Sequence, residues 1–382
     1  MRRDIFNDEH ELLREQFRRF AQKEIEPKIS DWNASGRSDR ESWRRMGEEG
    51  FLGACAPEAY GGAGADFLYA AIIMEELAWI RAHGLMASLH SDICMPYLIH
   101  YGNEEQKQKY LPGTISGEIV LGIAMTEPAA GSDLAGIQTS AVRDGDGYVL
   151  NGSKTFISNG QIGDLFIVVA KTEPEAVPPH RGISLFLVEA TTPGFVRGRK
   201  LEKLGLHGQD TSELFFQDCR VPRQALLSEE GRGFKLLMAQ LQQERLCIAV
   251  MAMASCRRAL HDTLEYVKQR QAFGRPLAAF QNTQFKLAEL ATEVEVGQAF
   301  VDKLLVAHVR GDELVSEVSM AKCWTTDLQK RLTGECLQLH GGYGFMTEYP
   351  ISTDYADAAV QSIYAGSNEI MKVIIARRLG LE

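Results

Sequence analysis

The chain has 382 residues, with 41 Lys and Arg against 51 Asp and Glu and a formal net charge of −10 at pH 7. Charges of both signs are interspersed throughout, which argues against a nucleic-acid groove or an anionic membrane surface as the main partner. No apolar run reaches the length of a bilayer span. The start, MRRDIFNDEHELLREQF, lacks the apolar core of a secretory signal, and the seven cysteines are scattered singly without CxxC or a His/Cys cluster. Reduced thiols in a cytoplasmic compartment are therefore expected, with no metal site.

Up to about Gly117 the pattern is helical. In DEHELLREQFRRFAQKEIEPKISDW, Leu12, Leu13, Phe17, Phe20 and Ile25 share one face, with Asp8 as N-cap. LYAAIIMEELAWI reads as a buried helix, and NEEQKQKYLPGTISGE as a short charged helix stopped by Pro112 and Gly113. From about Ile119 the period changes to two. IVLGIAM, IQTSAVRDGDGYVLNGSKTFIS, DLFIVVAKT, GISLFLVEA and SELFFQDCRVP are strand-like, with hairpin signals at Asp146-Gly147 and Asn151-Gly152. They predict a small β-barrel or sandwich. From about Arg232 a long amphipathic run is followed by helical candidates over 281–310, 314–340 and 351–379, an antiparallel four-helix bundle suited to subunit contacts. The fold class is α+β: a helical domain over 1–118, a β domain over 119–228 and a helical bundle over 229–382.

Four stretches offer chemistry. AMTEPAAGSDLAG, residues 124–136, ends a strand with the hydroxyls of Thr126 and Ser132 beside Gly131. Exposed N–H groups there suit a heterocycle edge or a phosphate, and the same residues also make an ordinary capped turn. In NGSKTFISNG, Phe156 could border a planar ring while Ser158 bonds its edge; an ordinary half-buried strand is the alternative. KQRQAFGRP puts Arg270, able to grip a phosphate with both arms of its guanidinium, at the end of the long run. It reads equally as an exposed arginine beside the helix dipole. QLHGGYGF, residues 338–345, is a helix ending in a glycine corner.

In their order and spacing these stretches, with IYAGSNEI, YGNEEQKQKYLP and HGQDTSELFFQDCRVP, resemble the acyl-CoA dehydrogenase family of flavoenzymes over essentially the whole chain. The resemblance implies FAD between the middle and C-terminal domains of a homotetramer. Met125, Thr126, Phe156 and Ser158 are then expected along the flavin ring, with Ser132 near the pyrophosphate and the substrate pantetheine. Arg270, Phe273 and Gln281 would come from a partner subunit, with Gln338, Gly341 and Gly342 also at the dinucleotide, and Ser367 and Glu369 closing the site. Phe156 and Ser158 stand where many relatives have Trp and Thr, which keeps the stacking surface and the hydroxyl.

The family reaction removes a proton α to the thioester carbonyl while hydride leaves the β carbon, which requires a carboxylate at the α carbon and donors at the thioester oxygen. Many relatives carry the carboxylate at the position of Ala365, followed by Gly366. In this chain QQERLCIAV supplies Glu244 instead, on the long helical run. The branches resembling isovaleryl-CoA and long-chain acyl-CoA dehydrogenases keep a glutamate there. Burial should raise its pKa toward working pH. The N–H of residue 365 can still serve the thioester oxygen, and Arg245 is assigned to the nucleotide end of CoA. Without the family context, Glu244-Arg245 would read as a solvated helix face.

The expected activity is formation of trans-2-enoyl-CoA, with electrons passed to an electron-transfer flavoprotein. An acyl-CoA oxidase on the same scaffold, or an inactive scaffold homologue lacking the loop base, are the alternatives. The acyl pocket should draw on LMASLHSDICMPYL, through Ser88, Leu89, Asp92 and Met95, and accept long, branched or bulky chains. Asp92 also fits a polar acyl group or a plain helix-face hydrogen bond.

Overall fold

Asn7, not Asp8, starts the first helix. In the computed structural model, which describes residues 3–381, the Asn7 side chain accepts from the His10 N–H and His10 Nδ1 accepts from the Asn7 N–H, a reciprocal cap on α1 (Asp8–Phe20). Asp8 is the first helical residue, where its charge still complements the helix dipole. Phe17 and Ile25 are fully buried, but Leu12 is 52% exposed, so the apolar face is narrower than its sequence pattern. A π-turn at Ala21–Ile25 rotates the face after Phe20.

Next come α2 (Ile29–Ser35), α3 (Arg40–Glu48), α4 (Phe67–Trp79), α5 (Met95–Tyr101) and α6 (Glu104–Ile115). Helix α4 is buried nearly all round, including Glu75 and Glu76. Those carboxylates persist because Arg3, Arg14 and Arg257 reach Glu75 at 2.6, 3.0 and 3.5 Å, and Arg14 and Arg18 reach Glu76 at 3.1 and 2.9 Å. Helix α6 runs through Pro112 to Ile115, contrary to the expected stop. Proline forfeits one N–H, and burial of Leu111, Thr114 and Ile115 in the same turn offsets that loss.

The middle of the chain forms one eight-stranded sheet of β1 (Leu121–Ala124), β2 (Ser140–Asp144), β3 (Gly147–Ser158), β4 (Leu165–Lys171), β5 (Ile183–Glu189), β6 (Phe195–Lys200), β7 (Thr211–Pro222) and β8 (Leu226–Leu227). The order is β6-β7-β3-β2-β4-β5-β8, with β1 parallel to β4. Strand β4 is buried on both faces. Leu165, Ile167 and Val169 join the core shared with the helices, whereas Phe166, Val168 and Ala170 join a core inside the β unit. Asp144 pairs with Gly147 across a two-residue turn at Gly145-Asp146. Asn151-Gly152, expected as a second turn, is instead a bulge within β3, where Gly152 brings its backbone against Thr139.

Helix α7 (Gly233–Gln269) leads to a short antiparallel pair, β9 (Gln271–Ala272) and β10 (Arg275–Pro276), then α8 (Gln281–Val309) and α9 (Val315–His340). Every residue of α7 from Glu244 to Cys256 is buried, as expected for a helix apolar on all sides. The fourth helical run is split into α10 (Pro350–Gln361) and α11 (Asn368–Arg378). Between them Ala365 (φ 51°) and Gly366 (φ 89°) both take left-handed backbone, which ends one helix and lets Ser367 cap the next.

Candidate active site

Glu244 lies on the buried centre of α7, 4% exposed, and the fully buried Tyr97 of α5 donates a 2.8 Å hydrogen bond to its Oε1. Among the described residues Oε2 accepts nothing. Burial pushes the Glu244 pKa up to about 7, against the opposing pull of the Tyr97 hydroxyl and the Arg245 charge. Tyr97 reaches α7 because a π-turn over Leu89–Cys94 leads into α5 with Pro96 in its first turn. Sequence reasoning passed over Tyr97. Its signal was a tyrosine amid residues apolar enough to be buried, since a buried phenol needs a partner.

The turn at Ala365 packs against the same apolar cluster as Leu89, Cys94, Tyr97 and Met125. Among the described residues no acceptor takes the Ala365 N–H. The turn is held by Lys322 of α9, fully buried, whose Nζ donates to the Gly366 carbonyl at 2.8 Å and to Asn368 Oδ1 at 3.0 Å. Arg245, expected toward the nucleotide end of CoA, is instead enclosed at 4% exposure. Its Nη1 lies 3.5 Å from Ser319 Oγ, Nη2 sits beside Gly366 and Nε has no partner. One residue on from Glu244, it points between α7 and α9, beneath the turn.

Met125, Thr126, Phe156 and Ser158 are brought together. Lys154, buried in β3, donates to the Met125 carbonyl at 3.0 Å and pairs with Glu127 at 2.8 Å, while the Thr155 N–H bonds the Thr126 carbonyl at 2.9 Å. Glu127 also accepts from the N–H groups of Gln138 and Thr139. This buried ion pair, unremarked in the sequence, pins the 125–139 loop to a bulge between Lys154 and Ile157. At the bulge Phe156 adopts φ 58° and turns its ring outward, 67% exposed.

Arg270, Phe273, Gln281, Gln338, Gly341 and Gly342 form a separate exposed corner. The Arg270 guanidinium lies over Tyr343, Phe273 is 96% exposed, and the Tyr266 hydroxyl ties the end of α7 to the His340 carbonyl. Among the described residues no hydrogen bond or ring contact links this corner to the Phe156 bulge. Ser132 is exposed, Ser367 caps α11 and Glu369 is exposed in its first turn.

Leu89 and Ser88 are buried, the Ser88 hydroxyl facing Met251 Sδ at 3.4 Å. Met95 is fully buried with its sulfur against Gly53, which directs it into the N-terminal helices. Asp92 is 7% exposed, and its carboxyl takes no hydrogen bond from any described residue. Burial pushes its pKa up to about 8. Beside it lies a cavity of about 10 Å³ walled by Phe51, Gly53, Ala70, Ile73 and Ala87, room for one water.

These surfaces fit a flavin dinucleotide. An outward aromatic with hydroxyls at its edge suits a flat ring. At Gly131, Gly341 and Gly342 a Cβ would meet nothing within 4 Å, so the backbone there is open to a close-lying group such as pyrophosphate. Among the described residues no cluster of His, Cys, Asp and Glu could hold a metal, and no helix is long and apolar enough to cross a membrane.

Profiles of the N-terminal, middle and C-terminal domains of acyl-CoA dehydrogenase match residues 7–118, 122–219 and 231–380. A long-chain specific mitochondrial acyl-CoA dehydrogenase from Mus musculus is 50% identical over 377 residues, 99% of this chain and 88% of that protein. Mitochondrial isovaleryl-CoA dehydrogenase from Pongo abelii is 36% identical over 97% of this chain and 88% of its own length. The crystal structure of an acyl-CoA dehydrogenase from Geobacillus kaustophilus is similar with a TM-score of 0.98 at 53% identity, covering 99% of this chain and 100% of that one. The chain therefore belongs to the acyl-CoA dehydrogenase family of FAD-dependent oxidoreductases.

Proposed function

We propose that this acyl-CoA dehydrogenase forms trans-2-enoyl-CoA with Glu244 as the base that removes the α-proton of the thioester. The observation that carries this is a buried carboxyl with one free oxygen, in the same apolar cluster as a turn that offers only Ala365. A pKa of about 7 leaves a substantial fraction of Glu244 ionised near neutral pH and makes that carboxylate basic enough to take a carbon-bound proton. The unsatisfied Ala365 N–H suits the thioester oxygen, where negative charge develops as the proton leaves. Lys322 keeps that donor in place by holding the next carbonyl.

Met125, Thr126, Phe156 and Ser158 would hold the FAD ring, with Ser132 near the pyrophosphate and the substrate pantetheine and Ser367 and Glu369 closing the site. When bound, FAD supplies the acceptor for the β-hydride. Arg270, Phe273, Gln281, Gln338, Gly341 and Gly342 would take the dinucleotide end. Their corner is exposed and unlinked to the bulge of its own chain, which supports delivery from a neighbouring subunit of a homotetramer. The functional division is 1–118, 119–228 and 229–382, and an electron-transfer flavoprotein is the proposed electron acceptor.

The acyl chain would run between α7 and the 86–94 segment, past Leu89 and Ser88. With the base on α7 the turn carries no large side chain, so branched or bulky acyl groups should fit as well as long linear ones. The test is anaerobic titration of the FAD-loaded protein with branched, medium-chain and long-chain acyl-CoA, following flavin bleaching. Wild type should bleach, and Glu244→Gln should bind the thioester without bleaching. Equal bleaching by both would remove Glu244 from the mechanism. No bleaching by wild type with any thioester would favour an inactive scaffold.

A further inference from the structure

Tyr97 and Tyr101 stand one helical turn apart on α5, and Gln240 and Glu244 one turn apart on α7. The Tyr97 hydroxyl donates to Glu244 Oε1 at 2.8 Å, and the Tyr101 hydroxyl accepts from Gln240 Nε2 at 3.0 Å. The two rings meet edge to face at 6.1 Å. This ladder sets α5 against α7, but its rungs differ in kind. One joins two neutral groups. The other is a charge-assisted bond to a carboxylate, stronger and more directional.

We infer that Tyr97 is a positioning residue: it holds Glu244 in one rotamer through Oε1, leaves Oε2 for the substrate, and favours the carboxylate over the acid. The inference rests on Glu244 being the base. Both partners are buried, so water does not replace the bond. A hydrogen bond to the charged form favours that form, and burial works against it. The Tyr97 hydroxyl therefore counters part of the burial that raises the Glu244 pKa.

Other ionisable groups stand around this pair. Cys94, from the π-turn before α5, and Cys247 and Arg245, on α7, act on Glu244 through their charges or feel its own. Asp92 acts on Cys247, and Tyr364, from the turn before α11, lies near Cys247. Lys322 of α9 neighbours Arg245. His308 of α8 bonds Gln242 and Gln243, not Glu244. Among the described residues only Tyr97 donates a hydrogen bond to Glu244.

The test is the pH profile of kcat/KM for the FAD-loaded wild type and for Tyr97→Phe, Tyr101→Phe and Glu244→Gln. In Tyr97→Phe the acid limb should move up by about one pH unit, with a roughly tenfold loss at pH 6 and recovery toward wild type at pH 9. Tyr101→Phe, which removes only the neutral rung, should keep the wild-type limb. A wild-type acid limb in Tyr97→Phe, a loss equal at every pH, or the same shift in both tyrosine variants would overturn the inference. Retained turnover in Glu244→Gln would instead remove the base reading beneath it. If Tyr97→Phe does not fold, 3,5-difluorotyrosine at position 97 keeps the shape and donates more strongly. Its acid limb should then move down, and an unmoved limb would count against Tyr97.

Discussion

Two carboxyls stand apart from the other acids at the scale of single residues. Glu244 is buried and held by one phenol, and the buried Asp92 carboxyl takes no hydrogen bond among the described residues. A group whose pKa is raised on folding stabilises the fold fully below its ordinary value and loses that contribution as pH rises through the folded value. For Asp92 the window runs from 3.8 to about 8. Asp92→Asn removes the ionisation and keeps the shape. Its melting temperature should exceed that of wild type by more at pH 8 than at pH 5, a difference worth up to about 4 kcal/mol. An equal gap at both pH values would mean that Asp92 stays ionised and solvated. Glu244 is unchanged in the comparison, so its own titration cancels.

At the scale of elements, α4 carries the heaviest electrostatic load. Burial alone would raise the Glu75 pKa, but Arg257, Arg3 and Arg14 outweigh it and hold the carboxyl below its ordinary 4.5. The stability it adds is therefore present above pH 4.5 and lost as acid protonates the folded carboxylate. Arg3 also grips Asp302 of α8 at 2.6 Å, so this cluster joins α1, α4, α7 and α8. Glu75→Gln takes the buried acid from Arg257 and half the hold on Arg3 and Arg14, which keep Asp302 and Glu76, and should cost about 3 kcal/mol, read as a lower denaturation midpoint. A midpoint within error of wild type would show that the arginines find water or other acids. Much of the element pattern was legible. The α4 run, the long α7 run and the period-two strands all announced themselves by spacing. Pro112 and Asn151-Gly152 misled because each is a local breaker overruled by packing. Pro112 sits in a turn whose neighbours are buried, and Gly152 is required by the approach of Thr139, not by a change of chain direction.

At the scale of the whole molecule, the proposed site draws on all three parts of the chain: Tyr97 from the N-terminal helices, the Phe156 bulge from the sheet, and Glu244 with the Ala365 turn from the bundle. Glu244 and the residues proposed to face the flavin could be singled out in the sequence because motif order and spacing are linear properties. Tyr97 was not, since its bond to Glu244 spans 147 residues of sequence and no local period encodes it. Lys154 with Glu127, and Lys322 with Gly366, escaped notice for the same reason. Arg245 shows the complementary limit. Helical geometry places it away from Glu244, but only the packing of α7 on α9 shows that it is enclosed beneath the turn.

A base on α7 that removes the α-proton is exposed by hydrogen exchange with a 3-thia acyl-CoA, which has an acidic α-hydrogen but no β-hydride to lose. The FAD-loaded protein is incubated in D₂O and the thioester mass followed. Wild type should load deuterium at the α carbon, and Glu244→Gln should do so at least ~100-fold more slowly with the thioester still bound. Equal exchange in both proteins would contradict the account and place the base elsewhere.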